Sequence, residues 1–142
     1  MSDYENRNIA YLLEDVMKNK FDYGFYQEDL WKYTENKKTF KYNMKDIKHW
    51  IYKPCWSYNI GDTECYYSIY QVIIQKNKFK KDIKRIKKAD MSYPLIVIED
   101  EFDIYDSILD GNHRFAKSII NNDKIIKFKF ISKKELNKLM IK

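Results

Sequence analysis

Ten residues, Ile108-Leu109-Asp110-Gly111-Asn112-His113-Arg114-Phe115-Ala116-Lys117, constrain the fold of this 142-residue chain more than any other stretch. Apolar runs at 94–98 and 105–109 precede the turn, and the second leads straight into it. Asp110-Gly111 is a turn dipeptide, because glycine adopts backbone angles that other residues resist. Asn112 is a favoured helix cap, able to accept from a free amide of the turn after it. The spacing then becomes helical: Phe115, Ala116, Ile119 and Ile120 share one side, and His113, Arg114, Lys117 and Ser118 the other. A strand, a glycine bend and a helix are expected, the helix opening its unpaired amides outward beside a histidine and an arginine. Such a place suits an anion, a phosphate above all.

With 44% hydrophobic and 17% aromatic residues the chain can form one domain with a real core, and 3 Gly and 2 Pro leave little room for a linker. A net charge of +6 favours phosphates, nucleic acids or acidic partners without choosing among them. The many Lys, Asn, Ile and Tyr residues are also what an AT-rich coding genome, such as that of a large DNA virus, produces. Cys55 and Cys65 have no second cysteine pair and no matching histidine spacing, so reduced thiols are expected rather than a zinc site. Met1-Ser2-Asp3-Tyr4-Glu5 is acidic and lacks the apolar core of a signal peptide, and no apolar run approaches the roughly 20 residues that span a bilayer. An intracellular protein without a membrane partner is expected.

Along the chain, Ile9, Leu12, Leu13 and Val16 predict an amphipathic helix over residues 5–18, and Gly24 a turn before a second helix at 27–35. Residues 33–42 read as a loop. Pro54 makes 53–56 a loop, and 59–62 a turn whose Asp62 or Thr63 caps the next helix. In 64–76 the side chains have strand propensity, but the length and the excess of apolar residues favour a buried helix. Residues 79–89 are cleaner: Phe79, Ile83 and Ile86 form a narrow apolar stripe, Lys78, Lys81 and Arg85 line one flank, and Lys80, Lys84, Lys87 and Lys88 lie outside. Ser132-x-x-Glu135 is a capping box for a short terminal helix.

The run Leu109-Asp110-Gly111-Asn112-His113-Arg114-Phe115-Ala116-Lys117 resembles the Asp-Gly-x-His-Arg signature of the ParB/sulfiredoxin superfamily. That superfamily includes CTP-binding ParB segregation proteins, ATP-dependent sulfiredoxins and free serine kinases. Residues 79–89 resemble the helix the family places before its Pro-Ile-x-Val strand, Tyr93-Pro94-Leu95-Ile96-Val97 that strand, and 125–131 the strand after the signature helix. The likeness spans roughly 44–131, with 47–52 as the first strand and 64–76 as a helix. It implies a ParB/sulfiredoxin-like α/β (mixed α+β) domain at 44–142, with a small mixed sheet flanked by helices. Residues 1–43 fall outside it as a helical N-terminal extension packed on the core, which can cap it, form a homodimer surface or cover a ligand.

What the resemblance implies for the site is phosphate or nucleotide binding by Lys78, Lys81, Arg85, Gly111, Asn112, His113, Arg114 and Lys117. In sulfiredoxins the matching helix turns a lysine and two hydroxyl residues toward ATP phosphates; at Lys78, Lys81 and Arg85 those hydroxyls have become cations. Gly111 lets a ligand approach the backbone or simply makes the turn. Arg114 offers a fork for phosphate oxygens or a surface salt bridge. His113 can donate to a phosphate, work as acid or base, or be held within the turn. Asp110 can orient that histidine, position a metal-bound water or satisfy turn amides, which makes Asp110 and His113 the catalytic candidates. Sulfiredoxins carry their reactive cysteine, and ParB proteins usually a glutamate, where this chain has Asn112; neither chemistry is expected, and the chain is too short for a full segregation protein.

Two functions are compatible with these residues. One is a nucleotide-dependent phosphotransferase or phosphohydrolase using ATP or another nucleoside phosphate with Mg²⁺, its base among Asp82, Asp90 and Asp110. The other is a non-catalytic module whose cationic helix contacts nucleic-acid backbone while Trp50, Trp56 or Tyr93 stacks on bases. Charge placement separates them: a pocket needs a few convergent cations, and backbone tracking needs a continuous stripe.

Overall fold

A computed structural model describes residues 9–10, 24–102 and 108–141. Its central sheet has the strand order β3-β8-β6-β7, built from β3 (Phe40–Asn43), β6 (Leu95–Ile98), β7 (Ile108–Asp110) and β8 (Ile125–Ile131). β6 runs parallel to β8, and the outer pairings are antiparallel. The parallel pair requires a crossover, and α5 (Asn112–Ile120) supplies the helical part of it.

Alternation along the two inner strands sorts their side chains into two cores. Leu95 and Val97 of β6, with Ile126 and Phe128 of β8, face Met44, Ile47, Trp50, Ile86, Phe115 and Ala116. Ile96, Ile98 and Ile131 face Phe25, Leu30 and Leu136 on the other side. A sheet covered on both faces reads as continuous apolar strands, as Leu95-Ile96-Val97-Ile98 does with all four side chains buried. Burying each such side chain contributes about 1.5–3 kcal/mol.

The first face is closed by α2 (Met44–Ile47) with the 3-10 turn Lys48–Tyr52, α3 (Ile69–Ile74), α4 (Lys80–Lys88) and α5, together with a hairpin of β4 (Pro54–Ile60) and β5 (Thr63–Ser68). The second face is closed by α1 (Gln27–Thr34) and α6 (Lys133–Asn137). β1 (Ile9–Ala10) pairs with β2 (Phe25–Tyr26), and β3 extends the sheet itself, so the described part of the first 43 residues supplies an edge strand and one covering layer. The architecture is therefore mixed α/β with a small mixed sheet and six helices among the described residues. None of those helices is long and apolar enough to cross a membrane.

Several local expectations change. Residues 47–52 are helical rather than the first strand, because Met44, Ile47, Trp50 and Ile51 are buried at helical spacing; the strand lies one step earlier, at Phe40–Asn43, within the expected loop. Residues 54–60 form a strand, with Pro54 at its first position, where a missing amide is tolerated. The apolar stretch 64–76 divides: Thr63–Ser68 pairs with β4 around Gly61 (φ 60°), and the helix starts only at Ile69. Ser68 and Gln71 make a reciprocal capping box there, replacing the expected Asp62 or Thr63 cap. Ile9–Ala10 is a strand within the expected first helix, and the rest of 5–18 lies outside the described residues, as does most of 105–109.

The Ser132–Glu135 capping box forms as read, and Glu135 does more than cap. Its carboxylate accepts from Lys37 Nζ at 2.7 Å and from the Tyr33 hydroxyl at 2.8 Å, joining α6 to α1 and the turn after it. Lys37 first, then the Ser132 amide, hold the carboxyl down from its usual 4.5 to about 2. A lowered folded value stabilises the fold above the usual pKa, and that stabilisation is lost as pH falls toward 2. Glu135→Gln is expected to cost about 1 kcal/mol at neutral pH and to flatten the stability profile below pH 4.5. A urea titration series across that range with an unchanged acid limb would contradict this role.

Candidate functional site

β7 ends at Asp110, and Gly111 (φ 107°) turns the chain into α5 as its N-cap; Asn112, the expected cap, is instead the first helical residue. No side chain caps α5 and no acidic residue stands in its first turn. A Cβ on Gly111 would strike the side chain of Leu95 and lie 3.0 Å from Arg114 Nη2 and 3.2 Å from its Nε. The glycine thus serves close approach as well as φ: the guanidinium lies across the bend in the space a side chain would take.

Arg114 is held there by its own protein. Nη2 donates to Asp110 Oδ2 at 2.8 Å and to the Pro94 carbonyl at 3.2 Å, while Nε is buried without an acceptor among the described residues. The same Asp110 oxygen accepts from the Trp31 indole at 2.9 Å. Asp110, 9% exposed, therefore ties the helix covering one sheet face to the helix covering the other. Of the roles considered for Arg114 the geometry displays the salt bridge, and Asp110 takes a role the sequence did not suggest, accepting from Arg114 and Trp31. Trp31 has no sequence signal linking it to a carboxylate 79 positions away, and its ring remains half exposed.

His113 faces α4. Its Nε2 lies 3.0 Å from Asp82 Oδ1, and its ring stacks on Trp56 of β4, with centroids 4.6 Å apart at 24°. Asp82 also accepts from the Tyr67 hydroxyl at 2.5 Å. Burial alone would push the Asp82 carboxyl up; hydrogen bonds from His113 and Tyr67, with Arg85 nearby, outweigh it and hold the group below its usual value. Burial, then Asp82, push the Tyr67 phenol well above its usual range. An ionised Asp82 can only accept, so His113 Nε2 is the donor of this pair. Asp82, not Asp110, is the carboxylate that orients this histidine.

Lys117, a phosphate-binding candidate in the sequence, is bonded instead to backbone carbonyls of the protein itself. Its ammonium donates to the carbonyls of Lys87 (2.9 Å) and Ala89 (3.0 Å), closing the C-terminal end of α4. Ser118 is buried with Phe115 and Ala116 rather than outward. Lys78 lies over the rings of Tyr58 and Phe79, 5.5 Å from each centroid. Lys81 and Arg85 are exposed on α4. Of the three aromatics considered for stacking, Trp50 is core, packed against Phe128 at 5.7 Å; Trp56 is covered in part by His113; and Tyr93 is 63% exposed. Asp90 is engaged by Ser92, whose hydroxyl and amide hold its carboxyl below the usual value.

Apart from Lys78, which stands over its two rings, the basic residues named from the sequence thus separate into two sets. His113, Arg114 and Lys117 are bonded to the protein's own acceptors around α5. Lys81 and Arg85 belong to an outward face on which Lys80, Lys84, Lys87 and Lys88 are also exposed. The only carboxylate of α4, Asp82, is turned inward to His113 and Tyr67, so every exposed side chain of this helix is cationic. Comparison of the chain with protein-family models, with curated proteins and with solved structures finds no match.

Proposed function

We propose that this protein is a phosphate-binding module of the ParB/sulfiredoxin type whose main ligand is nucleic-acid backbone held on the outward face of α4. The observation that carries this reading is the uniform sign of that face: six exposed cations on a nine-residue helix whose one acid is withdrawn. Nine helical residues span about 13 Å, and a nucleic-acid strand presents a phosphate about every 3.4 Å of duplex axis. A contact with roughly four phosphates matches those lengths and gives a salt slope of about −3 to −4. The likeness in family is supported by the order α4, β6, β7, α5, β8 around Asp-Gly-x-His-Arg.

Fluorescence anisotropy with a labelled single strand and a labelled duplex, across a salt series, tests the proposal. Lys81→Glu with Arg85→Glu is expected to weaken binding by more than tenfold and to reduce the salt slope by about 2. Binding that is absent at low salt, or indifferent to this double change, would dispose of the idea.

A second reading has one observation in its favour. The glycine-started mouth of α5 has no side-chain cap and no acidic residue in its first turn. ATP or another nucleoside phosphate, entering with Mg²⁺, would place its phosphates on the amides of Asn112 and His113, with His113 Nδ1 as proton acceptor. Thermal shifts with ATP, ADP, CTP and GTP plus Mg²⁺ separate the two readings. Stabilisation by one nucleotide that His113→Ala abolishes would favour the mouth; stabilisation by oligonucleotide alone favours α4.

A further inference from the structure

At the far end of α5 from the signature lies a cavity of about 380 Å³ that neither reading uses. Three lysines from separate places line it: Lys45 on α2, Lys48 on the 3-10 turn and Lys124 in the turn before β8. The Met44 amide donates to the Lys124 carbonyl at 2.8 Å, which fastens α2 to that turn and brings the backbones that carry the three lysines to one opening. None of the three ammonium groups has a hydrogen-bond or ion-pair partner among the described residues. At the end of α5 the carbonyls of Lys117, Ile119 and Ser118 accept from the amides of Asn121, Asn122 and Asp123, so the lysines are the groups that make this end of the helix positive. Asn43 and Asn122 also line it, and Asp123 is the one acidic residue among its lining.

We infer that this cavity is a second anion site, selective for a phosphomonoester dianion. Three lysines less one aspartate leave a local charge of two positive units, which a dianion neutralises and a phosphodiester monoanion does not. Like charges gathered on neighbouring turns repel unless an anion joins them. The volume lies in the range of small-ligand pockets and admits a phosphate carrying a small organic group. The amides of Asn43 and Asn122 donate to phosphate oxygens, and Asp123 accepts from a hydroxyl of the organic part. A free small phosphomonoester and the 5′-terminal phosphate of a nucleic acid share this chemistry.

The test is a ¹H–¹⁵N NMR titration of the whole chain with inorganic phosphate, AMP, dimethyl phosphate, and an oligonucleotide with and without a 5′-phosphate. Saturable shifts at Lys45, Lys48, Asn122 and Lys124 are expected with inorganic phosphate and AMP, at least tenfold weaker with dimethyl phosphate. Lys48→Gln combined with Lys124→Gln, both solvent-facing changes that leave the core intact, should abolish them, whereas Lys81→Gln should not. A preference for the 5′-phosphorylated oligonucleotide over AMP would name the nucleic-acid end as the source; the reverse would name a free metabolite. Shifts that do not saturate, or that appear equally at lysines elsewhere on the surface, would overturn the site. Loss of oligonucleotide binding on α4 with these shifts intact would refute the proposed function and leave this inference standing.

Discussion

Asp82→Ala is expected to destabilise the fold by about 3–4 kcal/mol, the largest loss from any single polar side chain described. The carboxylate receives the Tyr67 hydroxyl and the His113 ring, and alanine would leave both buried or half-buried donors without an acceptor. It would also free the Trp56–His113 stack, which the Asp82 bond holds in register. Asp82→Asn keeps the shape and one acceptor and should cost about half as much. The sign with pH comes from the lowered carboxyl: its contribution is complete above the ordinary aspartate value of 3.8 and disappears as pH falls through the folded value. Urea unfolding at pH 7 and below pH 4 measures both. Equal midpoints for wild type and Asp82→Ala at pH 7 would show that the cluster holds nothing together.

Gly111→Val should be comparably damaging, by about 3–5 kcal/mol, for two separable reasons. A β-branched residue resists φ 107°, at about 1–2 kcal/mol for any L side chain and more for a branched one. Its Cβ also enters space held by Leu95 and by the Arg114 guanidinium, and overpacking of this kind costs about 1–3 kcal/mol. Gly111→Ala retains both effects in milder form. Combining it with Leu95→Ala should recover part of the packing loss and none of the backbone loss, which a double-mutant cycle reads directly. Full stability in Gly111→Ala would mean that neither the bend nor the guanidinium beneath it is needed.

The parts of the fold legible in the sequence are those whose cause is local. Gly111 turns the chain where a left-handed residue is required, and the spacing of Phe115, Ala116 and Ile119 makes the helix after it. Leu95-Ile96-Val97-Ile98 is a strand because all four side chains are apolar and both sheet faces are covered. The Ser132–Glu135 box forms as its spacing demands. The segments that depart from their local pattern are those whose state depends on a partner. Residues 63–68 are a strand only because β4 lies beside them, and 40–43 only because β8 does.

The same division runs through the candidate site. Charge, residue type and the strand–bend–helix order are written in the chain, and they mark Lys81, Arg85, Gly111, His113 and Arg114 without a structure. Which acceptor each polar group meets is decided by packing across long separations: Arg114 and Trp31 meet at Asp110, Lys117 closes α4, and His113 finds Asp82 from 31 residues away. That last contact decides the electrostatics of the surface. A sequence shows an aspartate among lysines, and only tertiary structure turns it inward, because hydrogen bonds to a phenol and an imidazole offset the cost of burying its charge.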